Sequence, residues 1–100
     1  NINLPMPHGS PESTFFERLD DALAAIALFQ PQALIVPLGF DTYQQDPQSK
    51  VAMSHAGFTR LGEALRGLNM PVLVLQEGGY DIEHLRENGL RFFRGLLESD

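Results

Sequence analysis

Two spacings organise the apolar residues of this chain. Phe16, Leu19, Leu23 and Ile26 step by three or four positions, which lays a single stripe along a helix. The residues in front supply a start: Ser10 offers a hydroxyl cap, Pro11 suits the first helical position, and Glu12 meets the positive end of the helix dipole. Pro31 cannot continue the helix, so the pattern predicts one over about residues 11–29. Residues 33–38, by contrast, are short and apolar without a break, which predicts a strand covered on both faces, as in a parallel sheet. Pro37 donates nothing to a ladder, so either the strand stops near Val36 or Pro37 lies where its missing N–H is not needed.

The alternation then repeats. Ser54 can cap a second helix whose stripe is Phe58, Leu61, Leu65 and Leu68, while Gly57, Gly62 and Gly67 lower its intrinsic stability. Asn69 ends it, and Pro71 introduces a second strand over residues 72–75. Beyond Gly78 and Gly79, Asp81 can cap a last helix that turns Ile82, Leu85, Phe92 and Leu96 inward, and Phe92 with Phe93 is assigned to core packing. The opening "NINLP" reads as the tail of an earlier strand. Helix, strand, helix, strand, helix is the order of an α/β fold with adjacent parallel strands and helical crossovers. So few strands leave a bare sheet edge, and the chain starts without a capping element, which predicts a piece of a larger domain. No internal repeat, linker or second domain interrupts it.

Composition narrows the classes. A chain of 100 residues, 43% hydrophobic, is one globular unit at most. Seven Lys and Arg against 13 Asp and Glu give a formal charge of −6, which argues against a nucleic-acid partner held by phosphate neutralisation and tolerates a cationic ligand. The lack of cysteine excludes a disulfide framework and a Cys-based zinc site, and suits a reducing cytoplasm. No apolar stretch approaches the roughly 20 residues of a membrane helix, and the first residues lack the pattern of a signal peptide, so no membrane partner is expected.

Parallel topology brings the loops after both strands to one sheet edge, where open α/β sheets bind ligands. "GFDTYQQDPQ" and "QEGGYD" are therefore expected to face one crevice although 39 residues separate Asp41 from Tyr80. Asp41 is placed to ligate a hard or borderline cation, to orient a histidine, or only to form an Asx-turn or a helix-side cap. Asp46, just before Pro47, reads as a turn residue. Adjacent Gly78 and Gly79 let the backbone approach a ligand closely. Tyr80 projects from that turn; a phenol of ordinary pKa, about 10, keeps its proton at neutral pH and can donate to an oxyanion. The alternative is a half-buried tyrosine at a strand-to-helix turn. Neither a "GxGxxG" nor a Walker pattern is present. His8, His55 and His84 are not spaced as a metal pair; His55 and His84 read as surface residues, and His8 lies in a loop after the possible first strand. Asp20 and Asp21 fall on the polar face of the first helix.

Taken together, "NLPMPHGS", "LGFDTYQQDPQS", "GFTRLGEAL" and "VLQEGGYDIEHL" resemble the C-terminal third of the histone deacetylase superfamily, most nearly its bacterial acetylpolyamine amidohydrolase branch. The likeness runs along nearly all 100 residues, and "GFDxxxxDP" followed after about thirty residues by "EGGY" is specific in combination. The resemblance implies an arginase-like parallel-sheet α/β fold, with residues 1–100 a C-terminal fragment of a single catalytic domain. It implies zinc-dependent hydrolysis of acetylated polyamines or related amines to acetate and the free amine. Asp41 would be a zinc ligand and Tyr80 the catalytic donor to the carbonyl oxygen and its tetrahedral oxyanion; Gln48 would border the tunnel mouth, with Gly78 and Gly79 lining the tunnel by backbone. The family's other zinc ligands, spaced "DxH", and its tandem "HH" acid/base pair have no counterpart here and lie upstream in relatives. Catalytic zinc normally takes three protein ligands, so this segment alone is expected to be inactive, its partner being the remainder of the catalytic domain. Two other readings stand beside this one: a protein acetyl-lysine deacetylase, and a non-enzymatic α/β interaction module that self-associates into a homo-oligomer through its bare sheet edge.

Overall fold

In the computed structural model, which describes residues 1–98, strand β1 (Ser10–Pro11) leads directly into helix α1 (Glu12–Phe29). Then follow β2 (Leu34–Leu38), β3 (Val51–Ala52), α2 (His55–Arg66), β4 (Val72–Gln76) and α3 (Ile82–Leu97). The expected alternation stands in α1, β2, α2, β4 and α3, and β2 pairs with β4 in parallel from Leu34↔Val72 to Leu38↔Gln76. The strand does not stop at Val36. Leu34 N–H donates to the Pro71 carbonyl at 2.9 Å and Glu77 N–H to the Leu38 carbonyl at 2.8 Å, so the even-numbered residues of β2 face β4. The nitrogen of Pro37 therefore faces the other edge, which pairs with no strand among the described residues, so no donor is required there.

Several expectations are corrected. Ser10 does not cap α1: its hydroxyl donates back to the Pro7 carbonyl, and its backbone enters a second, two-residue parallel pair with β3. Pro11, extended at φ −71° and ψ 164°, takes the N-cap position instead. Residues 1–7 form no strand. Nor are β2 and β4 covered on both faces. Leu34, Val36 and Val74 pack on the core, whereas Ile35 and Leu73 are 62% and 55% exposed, because helices cover only one side of the pair among the described residues. In α3, Ile82 is exposed, one turn ahead of the first inward residue, Leu85. Phe93 is half-exposed because it lies about 100° around the helix from the fully buried Phe92, and only one of two adjacent rings can face the core. In α1, Phe16 is buried, but Leu23 and Ile26 are only half-buried.

The core is built by Phe16, Leu38, Phe40, Tyr43, Met53, Phe58, Leu61, Leu65 and Phe92. Glu12, in the first turn of α1, reaches the start of α2: its Oε2 accepts from Ser54 N–H at 2.9 Å and from the Ser54 hydroxyl at 2.8 Å. Ser54 Oγ in turn accepts from Gly57 N–H at 3.0 Å, which is the expected N-cap. Helices α2 and α3 touch backbone to backbone. A Cβ on Gly62 would overlap the Phe92 carbonyl and lie 2.7 Å from Leu96 N, and one on Gly95 would overlap the Thr59 carbonyl. Gly62, which weakens α2 as an isolated helix, is thus what lets α3 approach. Helix α2 stops at Arg66 with Gly67 as its C-cap, earlier than expected, so Leu68 packs on the core from the turn beyond it, where Asn69 adopts the left-handed conformation at φ 54° that asparagine tolerates. No helix among the described residues is long and apolar enough to cross a membrane.

Candidate active site at the strand ends

The loops after β2 and β4 are stitched to each other. Phe40 N–H donates to the Gly78 carbonyl at 2.7 Å, continuing the ladder one step past the strands. The buried Phe40 ring packs 5.3 Å from Phe58 and 6.3 Å from Phe92, centroid to centroid, so the residue before Asp41 is rooted in the core. Asp41 itself is only partly covered. Its carboxylate lies directly over two glycines: a Cβ on Gly78 would sit 2.5 Å from Oδ2 and 2.8 Å from Cγ, and one on Gly39 would overlap Oδ1. That carboxylate enters no salt bridge among the described residues. It is held by close packing against backbone, with oxygen lone pairs left for a ligand.

Tyr80 follows Gly79, whose φ of +149° is one that L side chains rarely adopt. Its side chain is 55% exposed, but its backbone is fixed: Tyr80 N–H donates to Asp46 Oδ2 at 2.7 Å. Asp46 makes the turn bond expected of it, accepting Gln48 N–H on Oδ1 at 2.8 Å. It does more than turn the chain, however, since it is only 6% exposed and its Oδ2 also takes Asp81 N–H at 3.1 Å. Gln48 is exposed beside it, and Gly78 and Gly79 are partly covered.

The histidines divide differently from expectation. His8 is exposed in a turn, next to Gly9, whose N–H donates to the Lys50 carbonyl at 2.8 Å. His55 and His84 are not free surface residues: both are half-buried against Tyr43, at ring separations of 4.9 and 5.3 Å, and lie 5.7 Å from each other. The cause is the loop after β2, which folds back over the start of α2 and buries Tyr43 to 2% exposure. His55 Nδ1 donates to Asn88 Oδ1 at 2.7 Å, which leaves Nε2 to accept from the Tyr43 hydroxyl at 3.3 Å. His84 Nδ1 donates to the Asp81 carboxylate at 2.9 Å. One signal for this cluster was legible: Asn88 falls on the inward stripe between Leu85 and Phe92, and a polar residue there needs a buried partner. No comparable signal marks the second oxygen of Asp46, because its partners are 34 and 35 residues away.

The two loops carry Asp41, Asp46, Glu77 and Asp81 and no lysine or arginine from Gly39 to Gln48 or from Glu77 to Asp81, so this edge favours a cation. Asp41 fits one position of a divalent-metal site, being packed in place and free of an ion-pair partner. Among the described residues no three His, Cys, Asp or Glu side chains group to hold a metal. Two concave surfaces lie elsewhere: about 320 Å³ between α2 and α3, lined by Thr59, Glu63, Glu87 and Arg91 among others, and about 380 Å³ between the first residues and α1.

Comparison with known proteins bears on this geometry. The pattern of the histone deacetylase domain matches residues 1–96. The chain is 55% identical over 96 residues to the acetylpolyamine amidohydrolase of Burkholderia pseudomallei, covering 96% of this chain and 28% of that protein. It is 38% identical over 95 residues to acetylpolyamine amidohydrolase 1 of Pseudomonas aeruginosa, covering 95% and 28%. A crystal structure of the acetylpolyamine aminohydrolase from Burkholderia pseudomallei superposes with a TM-score of 0.94 at 54% identity, over 96% of this chain and 28% of that one. The chain thus spans 28% of the length of these relatives.

Proposed function

The chain belongs to the histone deacetylase domain family, and from that premise we propose that the full-length protein hydrolyses the amide bond of acetylated polyamines or related acetylated amines. Water adds to the acyl carbon, the C–N bond breaks, and acetate leaves as the amine takes up a proton. The observation that carries this reading is the pairing of two loops at one sheet edge, with the Asp41 carboxylate seated against Gly78 and Tyr80 held two residues further on. Similarity to two acetylpolyamine amidohydrolases supports the choice of substrate class.

Asp41 would supply one carboxylate ligand to zinc, the other ligands coming from residues outside this chain. When bound, zinc supplies a Lewis acid for the amide carbonyl and lowers the pKa of water. The residues of this chain do the remaining work at this edge. The Tyr80 hydroxyl donates a hydrogen bond to the amide oxygen, and that bond strengthens as the oxygen gains charge. Gly78 and Gly79, without side chains, let the extended amine chain of the substrate pass close to the backbone. Gln48 borders the entrance, and the acidic edge formed by Asp41, Glu77 and Asp81 attracts the distant ammonium groups of a polyamine. With a single ligand and no proton-transfer pair, residues 1–100 alone would be inactive.

The test is made on the full-length protein, with metal analysis and side-by-side turnover of an N-acetylated polyamine and an acetyl-lysine peptide. Metal-dependent release of acetate from the polyamine is expected, with weaker activity on the peptide. Tyr80→Phe should lower kcat by about 10²–10³, or about 2.7–4 kcal/mol, the usual cost of losing one oxyanion donor. Wild-type turnover by Tyr80→Phe would overturn the role, and a metal-free protein that hydrolyses neither substrate would overturn the reading.

A further inference from the structure

We infer that Asp46 is a positioning residue for Tyr80, and that the stretch from Phe40 to Asp46 acts as one template that sets Tyr80 relative to Asp41; this rests on the role of Tyr80 proposed above. Tyr80 is difficult to place by its own contacts. More than half of the residue is exposed, and it follows a Gly–Gly pair, the most permissive backbone available. What fixes it is a clamp on either side of Gly79. The Gly78 carbonyl accepts from Phe40 N–H at 2.7 Å, and Tyr80 N–H donates to Asp46 Oδ2 at 2.7 Å. Both partners belong to the loop that carries Asp41, so the placement of Tyr80 is referred to that loop.

An Asx-turn alone needs only the bond from Gln48 N–H to Oδ1. The other oxygen instead crosses to two consecutive amides of the second loop, at 2.7 and 3.1 Å. Burying a carboxylate is costly unless it is compensated, and Asp46 enters no salt bridge among the described residues. Its compensation is three backbone N–H donors together with the positive end of α3, whose N-cap is Asp81. Through Oδ1 the same group also fixes the backbone of Gln48, so the catalytic tyrosine and the rim are joined by one side chain.

The test is a double-mutant cycle in the full-length protein, with Asp46→Ala and Asp46→Asn each made alone and with Tyr80→Phe, assayed on an N-acetylated polyamine together with Tm. Asp46→Ala is expected to lower kcat by about 10²-fold, the scale of a 1 Å misplacement, while KM changes by less than about threefold. Asn can turn its one amide oxygen to the amides of Tyr80 and Asp81 and should retain activity within about tenfold. In the Tyr80→Phe background neither substitution should cost more than about threefold, because the group being positioned is already gone. A merely structural role would lower Tm and reduce activity by the same factor in both backgrounds, and that result overturns the inference. So does an Asp46→Ala enzyme with wild-type kcat. If Asp46→Ala does not fold, the cycle with Asp46→Asn decides: an equal loss in both backgrounds refutes positioning. Full activity of Tyr80→Phe by itself would instead locate the failure in the functional reading.

Discussion

Replacing Gly78 by alanine should separate stability from function at this edge. Nothing at Gly78 demands glycine for backbone reasons, since its φ lies outside the range from +20° to +160°. The obstacle is the Asp41 carboxylate, whose Oδ2 would lie 2.5 Å from the new Cβ, about 0.9 Å inside the 3.4 Å at which ordinary contact begins. A side chain can rotate away from such a clash far more cheaply than a backbone can shift, so the stability cost should stay near the low end of the about 1–3 kcal/mol seen for overpacking. On the role proposed above for Asp41 as a zinc ligand, the functional cost is larger, because metal–ligand distances tolerate only about ±0.2 Å and a retreat of about 0.9 Å would take its carboxylate out of range. A misplacement of this size typically costs about 10²-fold in rate, or about 2.7 kcal/mol. The assay is kcat/KM on an N-acetylated polyamine, with metal content and Tm, for full-length Gly78→Ala. Gly89→Ala serves as the control, as a Cβ there meets nothing within 4 Å. A Gly78→Ala protein that keeps full metal content and a rate within about threefold of wild type would refute the argument that this glycine exists to seat Asp41.

Two further outcomes follow from the packing and the charges. Gly62→Ala and Gly95→Ala each gain up to about 1 kcal/mol of intrinsic helix propensity, yet should lower Tm, because the added methyl must push α2 and α3 apart at the cost of about 1–3 kcal/mol or more; an unchanged or raised Tm in either variant would contradict the backbone contact. The Glu87 carboxyl is held below its ordinary value of 4.5 by the hydrogen bond from Arg91 Nε at 2.8 Å. A depressed folded-state pKa means that the pair contributes above the unfolded value and is lost as pH falls below 4.5. An NMR titration should therefore show a Glu87 midpoint below 4.5 that rises towards it in Arg91→Gln or in high salt. With the two side chains 42% and 43% exposed, the effect on overall stability should be small.

How the sequence and the tertiary structure share the specification of this protein can be seen residue by residue. Helix stripes and short apolar runs are local signals, and they placed α1, β2, α2, β4 and α3 within a residue or two, together with the caps at Ser54 and Asp81. The parallel order of β2 and β4 then requires their following loops to meet, so topology alone makes Asp41 and Tyr80 members of one candidate site. Other properties were not local. Asp46 looked like a turn residue because only its first oxygen bonds within the turn, while the second finds partners across the sheet edge. His55 and His84 looked exposed because, apart from Asn88 on the inward stripe of α3, nothing local reveals that Tyr43 folds back against both of them. Gly62 carried only a propensity penalty until α3 was seen to occupy the space its missing side chain leaves. Periodicity along the chain thus determined the three helices and the two longer strands, but not the short β1–β3 pair or which face of β2 and β4 is covered. Contacts between residues thirty or more positions apart, which depend on how the crossover brings two loops and two helices together, decided what holds the site in place.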